Sequence, residues 1–334
     1  AAMWDDFDND RDLDLVLFPA GKPPLAWVND RVGRHRIRQG EEIGLRVEGA
    51  VGATAGDPNR DGNRDLLVFA GKEVRLFLNR GHWKFEEDKE FFTRHGALGG
   101  SSGQFADFDN DGDLDLLLAD ARRKDNTRGP VLLVNEEGRF ADAAARDPGI
   151  LLAALRTAGP AATAAADFNG DGRLDVVLAS MGEAPQVAMN ATKGGHFITL
   201  DFQGTEETGK RSRSNRSAIG ARVEVKAGTV VQQFVVGTPS GATAAPPLRV
   251  HAGLGPNTEV QWLRVLWPDA VLQAELDLAA GKLATLAETQ RKISSCPHLF
   301  VWNGSAFEFV SDFGGMGGLG YMVAPGAYAP PDPT

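Results

Sequence analysis

The sequence has a single cysteine, Cys296, among its 334 residues. One cysteine excludes a disulfide within the chain, so the fold must be held without covalent cross-links. The sequence also lacks any run of 18 apolar residues, and it therefore predicts no membrane-spanning helix. No charged-then-apolar signal segment stands at the start. The chain opens on Ala1 and enters an acidic repeat at once, which is typical of a processed or trimmed fragment.

Basic residues are outnumbered, with 35 Lys and Arg against 45 Asp and Glu and a net charge of −10. Nucleic-acid binding needs clustered Lys and Arg, so nucleic acid is not an expected partner. Sixteen of the 45 acidic residues fall in four windows of nine residues. Carboxylates held this close repel one another unless a cation lies among them. The windows therefore predict cation sites rather than a solvated acidic face.

The four acidic windows share one pattern and occupy residues 6–14, 57–65, 107–115 and 167–175. Their first residues are separated by 51, 50 and 60 positions. A period of this size predicts the blades of a β-propeller or a similar array of repeats.

Each window leads into a short apolar run of the length and composition of a buried strand. These runs are residues 15–18, 66–69, 116–118 and 176–178. A second apolar run follows in each unit and ends at an asparagine, namely Asn29, Asn79, Asn135 or Asn190. Each unit therefore reads as acidic loop, strand, turn, strand, turn. The Ala-rich stretch 141–166 is predicted to carry a helical turn, which accounts for the longer third spacing.

The pattern changes near residue 194, where the acidic loops stop and alternating strands begin. The expected strands are 196–202, 221–225, 230–236 and 260–266, which predict a β-sandwich-like domain. Near the end, two apolar runs flank Asn303 and Gly304, a strong β-hairpin signal. A Gly-rich segment and a Pro-rich tail follow. We therefore predict an all-β chain with propeller repeats over 1–193, a sandwich-like domain over 194–290 and a hairpin with its tail over 291–334.

The acidic loops match the ligand preferences of calcium, which takes six to eight oxygen ligands. Side chains at positions 1, 3 and 5, a main-chain carbonyl at position 7 and a carboxylate at position 9 would surround the ion, and glycine at position 6 allows the sharp turn. The predicted ligands are Asp6, Asp8, Asp10, Asp12 and Asp14; Asp57, Asn59, Asp61, Asn63 and Asp65; Asp107, Asp109, Asp111, Asp113 and Asp115; and Asp167, Asn169, Asp171, Arg173 and Asp175.

Other cations fit these loops less well. Magnesium prefers to keep its waters rather than fill an all-protein cage, and zinc would require His or Cys, which the loops lack. About four calcium ions are expected. The first loop carries Arg11 where glycine is expected, and the second carries two asparagines and should bind more weakly. Extracellular calcium modules bind with Kd on the order of 10⁻⁴–10⁻³ M, so cytosolic calcium would leave such sites empty. We therefore expect an extracellular or cell-surface protein.

The loops and their trailing strands resemble FG-GAP or VCBS repeats, which form β-propeller blades. The next domain resembles the ASPIC/UnbV domain through residues 214–223, 251–255 and 265–269. Ala270 stands where that family usually has glycine. The combination is similar to the cartilage acidic protein family and its bacterial relatives. The resemblance covers roughly residues 1–290 and implies a secreted, calcium-binding protein of adhesion or binding function without established catalysis.

No catalytic constellation is found in the sequence. The six histidines show no metal-ligand spacing, and Cys296 with His298 is no evidence for a catalytic dyad. The expected function is a non-catalytic, extracellular interaction or adhesion protein with a protein or glycan partner, and self-association on a surface or in filaments is a sharper variant. The alternative is a glycan-binding or hydrolytic propeller with its site in the central mouth.

Overall fold

The computed structural model describes residues 1–10, 12–30, 34–123, 127–143, 155–204, 214–237, 247–268, 271–289, 298–312, 322–324 and 327–328. Arg11, Cys296 and the Gly-rich segment after residue 312 lie outside the described residues. Strands dominate the structure and confirm the all-β prediction. One α-helix is described, α1 (Lys89–His95), and the side chain of Asp88 caps it by accepting the N–H of Phe91 at 2.9 Å.

The described chain divides into two units, Ala1–Glu288 and Thr289–Thr334, and each is described by itself. The first unit begins with four antiparallel sheets in which neighbouring strands follow one another along the chain, as in propeller blades. Their strands are β1 (Ala2–Asp5), β2 (Asp14–Leu17), β3 (Leu25–Asn29) and β4 (His35–Gln39); β5 (Gly52–Gly56), β6 (Asp65–Phe69), β7 (Val74–Asn79) and β8 (Phe85–Glu87); β9 (Gly103–Ala106), β10 (Asp115–Arg122), β11 (Arg128–Glu136) and β12 (Arg139–Asp142); and β13 (Ala161–Ala166), β14 (Asp175–Ser180) and β15 (Gln186–Ala188).

The hydrophobic cores of this region lie between consecutive sheets. The second strands of the two middle sheets, β6 and β10, are covered on both faces, so their side chains alternate between two neighbouring sheets. In β6, Leu66 packs in a cluster with Val16 of the first sheet. The next residue, Leu67, packs with Leu116 of the third sheet. Burial on both faces explains why the sequence shows unbroken apolar runs here rather than alternation.

The first strand of each sheet precedes its acidic loop, and the sequence did not predict it. Gly and Ala, which have low strand propensity, make up most of β5 and β13 and half of β9, whereas β1 is Ala-Met-Trp-Asp. The structure requires small residues in β5 and β9. A Cβ atom at Gly103 would lie 2.6 Å from the carbonyl oxygen of Leu117, and one at Gly56 would lie 2.5 Å from the ring of Phe105. The Ala-rich stretch, predicted to carry a helical turn, forms β13 at its end, and residues 144–154 lie outside the described residues.

The rest of the first unit, residues 194–288, is named here the two-sheet segment. Its strands are β16 (His196–Gln203), β17 (Arg222–Ala227), β18 (Val230–Val235), β19 (Val250–Gly255), β20 (Glu259–Leu266), β21 (Leu272–Ala279) and β22 (Lys282–Ala287). They form a sheet of order β19-β16-β22 and a sheet of order β18-β17-β20-β21. Both sheets contribute to one buried cluster that includes Trp267, whose indole N–H donates to Gln273 at 3.0 Å. Two sheets around one core are the arrangement of a sandwich.

The second unit contains the hairpin expected around Gly304. Strand β23 (His298–Trp302) pairs antiparallel with β24 (Phe307–Asp312), and Gly304 has a φ of 103° in the turn. A shorter pair, β25 (Met322–Ala324) and β26 (Ala327–Tyr328), follows in the region expected to be an extended tail.

Candidate metal centre

The four acidic loops follow the same backbone path between the first two strands of each sheet. Positions 4 and 6 adopt left-handed conformations in every loop that the structure describes at those positions. The φ values are 63°, 56°, 59° and 77° at Asn9, Arg60, Asn110 and Gly170, and 84°, 98° and 81° at Gly62, Gly112 and Gly172. Arg11, the remaining position 6, lies outside the described residues. The sequence indicated the turn at position 6 but not the one at position 4.

The aspartate at position 9 ties each loop to the sheet behind it. In the third loop, Asp115 accepts the N–H of Phe108 at 2.9 Å and the N–H of Asn135 at 2.8 Å. In the fourth, Asp175 accepts the corresponding N–H groups of Phe168 and Asn190. Asp14 does the same in the first loop. These carboxylates were predicted only as calcium ligands. They also satisfy buried main-chain donors, which is a structural role independent of a metal.

The second loop breaks this pattern because its position 2 is proline. Pro58 has no N–H to donate, so one of the two expected hydrogen bonds to Asp65 cannot form. Asp65 accepts the N–H of Asn79 at 2.7 Å, and its buried Oδ2 has no hydrogen-bond partner. Burial raises the pKa of Asp65 to about 8, because the charged form loses its hydration without gaining a second donor.

The asparagine that ends the third strand of a sheet links successive loops. Asn135 donates through Nδ2 to the carbonyl of Pro58 in the preceding loop at 2.7 Å and to that of Leu114 in its own loop at 3.1 Å. Asn79 and Asn190 repeat this arrangement toward the carbonyls of Phe7 and Phe108, each at 2.8 Å. All three asparagines are buried. The sequence showed the recurring asparagine but gave no reason for it.

Three carboxylates converge in the first loop and three in the third. Oxygen atoms of Asp6, Asp8 and Asp14 all lie within 4.8 Å of one another, as do those of Asp107, Asp109 and Asp111. The first cluster also touches Arg222 of the two-sheet segment, which pairs with Asp6, and the indole of Trp83, which donates to Asp8 at 3.0 Å. Such a group of hard oxygen donors suits a calcium ion. Among the described residues, the predicted ligands Asp10, Asp12, Asp113 and Asp115 lie outside these two groups.

Asp107 is the most constrained of these carboxylates. It is 3% exposed, and its Oδ2 accepts the N–H of Gly112 at 2.9 Å. Its buried Oδ1 has no hydrogen bond of normal geometry, although the backbone N–H of Asn110 lies near enough to oppose the pKa shift. Burial, followed by repulsion from Asp111 and Asp109, holds the pKa of Asp107 well above its ordinary value. A buried carboxylate with one unpartnered oxygen, in a cluster with two further carboxylates, fits a bound cation.

The second and fourth loops supply internal donors to the carboxylates at positions 1 and 5, and in the fourth loop one of these donors is a cation. Both oxygens of Asp167 accept loop N–H groups, with Gly170 at 2.7 Å and Gly172 at 2.9 Å. Asp171 is paired with the guanidinium of Arg173, whose carbonyl was the predicted ligand. The amide of Asn169 also donates to Asp171 at 2.8 Å.

In the second loop, amide groups play the same part. Asn59 and Asn63 donate to Asp61 at 3.1 and 3.0 Å. Asp57 accepts the N–H groups of Asp61 and Gly62 at 3.1 and 3.0 Å. Apart from the buried Oδ2 of Asp65, the side-chain oxygens of the carboxylates at positions 1, 5 and 9 of these two loops therefore already have donors.

Burial and mutual repulsion also raise the pKa values of other carboxyl groups in the first and third loops. Desolvation, opposed by two N–H donors, raises the pKa of Asp14 to about 7. Desolvation together with Asp109 and Asp107 raises the pKa of Asp115 to about 9, and desolvation raises the pKa of Asp111 to about 7. A divalent cation would reverse these shifts, because it stabilises the charged carboxylates.

A cavity of about 1010 Å³ lies between the first strands of the sheets and the two-sheet segment. Trp4, Phe105 and Phe197 contribute aromatic surface to it, and the amide of Gln104 lines it as well. Gln104 is 3% exposed, and its Nε2 has no hydrogen-bond partner. Two of the acidic residues at the cavity are paired with arginines: Asp5 with Arg64 at 3.0 Å, and Asp6 with Arg222.

Family models match two parts of the chain. Residues 57–118 and 107–178 match the FG-GAP-like repeat, and residues 210–293 match the ASPIC and UnbV domain. The chain therefore contains FG-GAP-like repeats followed by an ASPIC and UnbV domain, as the sequence predicted. The affiliation with the cartilage acidic protein family is not confirmed. No curated protein sequence matches the chain significantly.

Solved structures with similar folds include an Agrocybe aegerita lectin that recognises non-reducing terminal N-acetylglucosamine, with 17% identity, a TM-score of 0.40, and coverage of 83% of this chain and 65% of that one. A Photorhabdus luminescens Tc holotoxin pore has 16% identity and a TM-score of 0.37, and the match covers 79% of this chain and 12% of that one. The V. cholerae biofilm matrix protein Bap1 has 13% identity and a TM-score of 0.32, and the match covers 82% of this chain and 47% of that one. This chain thus spans less than two thirds of each of these proteins. At these scores the similarities carry no argument about function. None of the helices in the described part of the chain is long and apolar enough to cross a membrane.

Proposed function

We propose that this chain, with its FG-GAP-like repeats and its ASPIC and UnbV domain, is a calcium-stabilised extracellular protein that binds a partner and has no catalytic activity. The observation that carries the calcium part is Asp107, whose buried Oδ1 has no hydrogen-bond partner and whose carboxylate converges with those of Asp109 and Asp111 within 4.8 Å. Calcium would provide the missing partner for this oxygen and cancel the repulsion among the three carboxylates.

The extracellular part of the proposal follows from affinity. Sites of this kind bind calcium with Kd on the order of 10⁻⁴–10⁻³ M and would be filled only where calcium is near millimolar. At about 1 mM calcium, a site with a Kd of about 0.1 mM adds roughly 1.4 kcal/mol to the free energy of unfolding. Two such sites add a substantial part of the stability of an ordinary domain.

The non-catalytic part rests on the state of the carboxylates at the cavity. A general acid or base needs a carboxyl group that is free to exchange a proton with a substrate. Asp5 and Asp6 are held by arginines. Asp107 and Asp167 belong to acidic loops and accept loop N–H groups. No pair of accessible, unengaged carboxylates remains at the cavity among the described residues.

The test is thermal unfolding in excess chelator and again in about 1 mM calcium, with magnesium as the control. We expect a rise in the unfolding midpoint with calcium alone. Calorimetric titration of the same protein should show at least two sites with Kd between about 10⁻⁵ and 10⁻³ M. An unchanged midpoint together with no binding heat would overturn the calcium proposal.

A second candidate function is recognition of a small ligand, such as a saccharide unit, in the cavity. The observation that favours it is Gln104, a buried residue of the cavity lining whose Nε2 has no hydrogen-bond partner, together with Trp4, a lining residue that is 54% exposed. Saccharides are held by such combinations of an aromatic face and polar side chains. Binding to a saccharide array should be lost in Trp4→Ala and retained in Trp27→Ala, whose 43% exposed side chain does not line the cavity. Equal binding by both variants would exclude the cavity as the site.

A further inference from the structure

The third acidic loop is held by the two-sheet segment through its main chain. The N–H of Gly195 donates to the carbonyl of Asp109 at 2.9 Å, and the N–H of Gly255 donates to the carbonyl of Asn110 at 2.8 Å. These carbonyls belong to positions 3 and 4 of the loop. In the described part of the chain, no other acidic loop accepts a main-chain hydrogen bond from the two-sheet segment. This main-chain contact is specific to the third loop, whereas the first loop meets the segment through the side-chain pair Asp6–Arg222 and the fourth through the packing of Gly172 against the ring of Phe197.

Close approach of the two backbones depends on glycine. A Cβ atom at Gly253 would collide with Oδ2 of Asp107 and would lie 2.6 Å from Cα of Asn110. At Gly195, a Cβ atom would lie 2.5 Å from the carbonyl oxygen of Asn110. Real Cβ atoms are not found at such distances, so any larger residue at Gly253 would displace the loop or the strand β19. The first residue of the loop, Asp107, is thus packed directly against β19.

His251, two residues before this glycine, makes a side-chain link to the same loop. Its Nε2 lies 2.7 Å from Oδ1 of Asn110. Nδ2 of Asn110 donates to the carbonyl of Gly172 at 3.0 Å, so its Oδ1 is the acceptor and Nε2 of His251 is the donor. Nδ1 of His251 then accepts from the hydroxyl of Thr199 at 3.2 Å. The ring also stacks on Phe197 at 5.7 Å between centroids. Each ring nitrogen has a partner, so the histidine is fixed in one tautomer.

We infer that residues 251–255 of the two-sheet segment are a structural part of the cation site in the third loop, so that cation binding in this loop and docking of the two-sheet segment strengthen each other. The inference rests on the proposed calcium site. It adds that Gly253 and His251 are positioning residues that contact the loop without being ligands. The carbonyls of Asp109 and Asn110 are held in place by this segment, and they fix the directions of the carboxylates at positions 3 and 5. By linkage, whatever the docked segment adds to calcium affinity, calcium adds to docking.

The test compares Gly253→Ala with Gly237→Ala in the full chain. Gly237 belongs to the same segment, has no positive φ, and has nothing within 4 Å of its Cβ position, so its substitution is the matched control. Calorimetric titration with calcium should show one site weakened on the order of tenfold in Gly253→Ala and no change in Gly237→Ala. His251→Phe keeps the ring stack and removes the hydrogen bond, and it should weaken the same site by a smaller factor.

The first loop supplies an internal control for folding. Terbium bound there should emit through the indole of Trp83, which contacts Asp8. This signal should be the same in all three variants, which shows that the sheets are intact. If the wild type binds no calcium, the proposed function fails. If the wild type binds calcium and both Gly253→Ala and His251→Phe bind it with wild-type affinity, the coupling is wrong while the calcium site stands.

A reciprocal measurement checks the other direction of the coupling. Hydrogen exchange of residues 250–255 in the wild type should slow when calcium is added. In Asp107→Asn, calcium should no longer slow it. Exchange at 250–255 that is independent of calcium in the wild type would also overturn the inference.

Discussion

The first and third acidic loops can be compared with the second and fourth, because all four follow one backbone path. In the odd-numbered loops, three carboxylates converge within 4.8 Å. In the even-numbered loops, position 3 is asparagine and the carboxylate at position 5 is paired inside the loop. Asp61 is held by two amides, and Asp171 by the guanidinium of Arg173.

The difference teaches that the repeat motif and the cation site are separable. The turn, the position-9 aspartate and the linking asparagine recur in both types of loop and are formed by hydrogen bonds within the protein. The convergence of charge occurs only where position 3 is also an aspartate. We therefore expect the loops to be equal as structural joints and unequal as calcium sites.

The largest effect on stability should come from removing one of the asparagines that link successive loops. Asn135→Ala removes a buried amide and leaves the carbonyls of Pro58 and Leu114 without a donor. We expect a loss of about 2–4 kcal/mol in the free energy of unfolding. Asn9→Ala, which removes an exposed amide contact between the first two loops, should cost about 1 kcal/mol. Chemical denaturation should give the same loss for Asn135→Ala in calcium and in chelator; a loss seen only with calcium would mean that the joint depends on the metal.

The next effect is a pH dependence of the metal-free protein. Burial raises the pKa of Asp65 to about 8 and that of Asp115 to about 9, whereas both groups titrate near 4 in the unfolded chain. The folded protein therefore holds more protons, and its stability is lost as the pH rises through these values. Each group contributes about 1.4 kcal/mol per pH unit below its folded pKa. Burial lowers the pKa of His251 to about 4, so this histidine affects the stability only below about pH 6.5. It does not contribute to the pH dependence between pH 7 and pH 9.

In chelator, the thermal unfolding midpoint should decrease as the pH is raised from 7 to 9. Calcium should make the midpoint depend less on pH. Asp65→Asn is the matched variant, because the unpartnered Oδ2 leaves room for an amide without opposing a donor. Its slope in chelator should be smaller than that of the wild type. A midpoint that rises with pH in chelator would show that these carboxyl groups are ionised in the folded state.

A direct contrast between the two types of loop comes third. Asp107→Asn should remove roughly 1.4 kcal/mol of the stabilisation that about 1 mM calcium provides, as expected for one site with a Kd near 0.1 mM. Asp167→Asn should remove less than half of that, because both oxygens of Asp167 already accept N–H groups. The measured quantity is the difference in unfolding free energy between calcium and chelator for each variant. Equal losses in the two variants would remove the distinction between the loops.

The smallest effect is expected for a substitution that makes the fourth loop a better calcium site, as the first and third loops are proposed to be. Arg173→Ala removes the internal cation of the fourth loop and frees Asp171. A half-buried pair near the surface is worth roughly 0.2–1 kcal/mol, so calcium affinity there should rise by about 1.4- to fivefold. Calorimetric titration should detect an additional or tighter site. A weaker site would show that Arg173 positions the loop rather than competing with the metal.

Much of the fold could be predicted from the sequence, because the apolar run after each loop forms a buried or half-buried strand. The first strands of the sheets could not. Their Gly and Ala residues favour no strand, and close packing of neighbouring backbones is what selects them. In the two-sheet segment, β19, β21 and β22 were also missed. Strand β19 contains Gly253 and Gly255, which lower its strand propensity. These glycines are explained by their close contact with the third loop.

The loops themselves could be predicted, because the spacing of their aspartates repeats. What each loop does with its charge could not, because the deciding contacts cross the chain. Arg222 reaches Asp6 from more than 200 residues away, and Arg60 pairs with Asp113 of the next loop at 2.7 Å. A motif shows which oxygens are near one another. It does not show which donors from elsewhere already occupy them.

The linking asparagines also bear on how such an array can grow. Each one donates a hydrogen bond to a main-chain carbonyl oxygen of the preceding loop, which belongs to Phe7, Pro58 or Phe108. Every amino acid supplies this oxygen, so the joint asks nothing of the neighbour's side chain. A duplicated unit could therefore keep this hydrogen bond at both ends, and only the side chains packed between the sheets would have to be matched. Gene duplication and recombination can lengthen or shorten such a chain in whole units while each unit's loop goes on diverging.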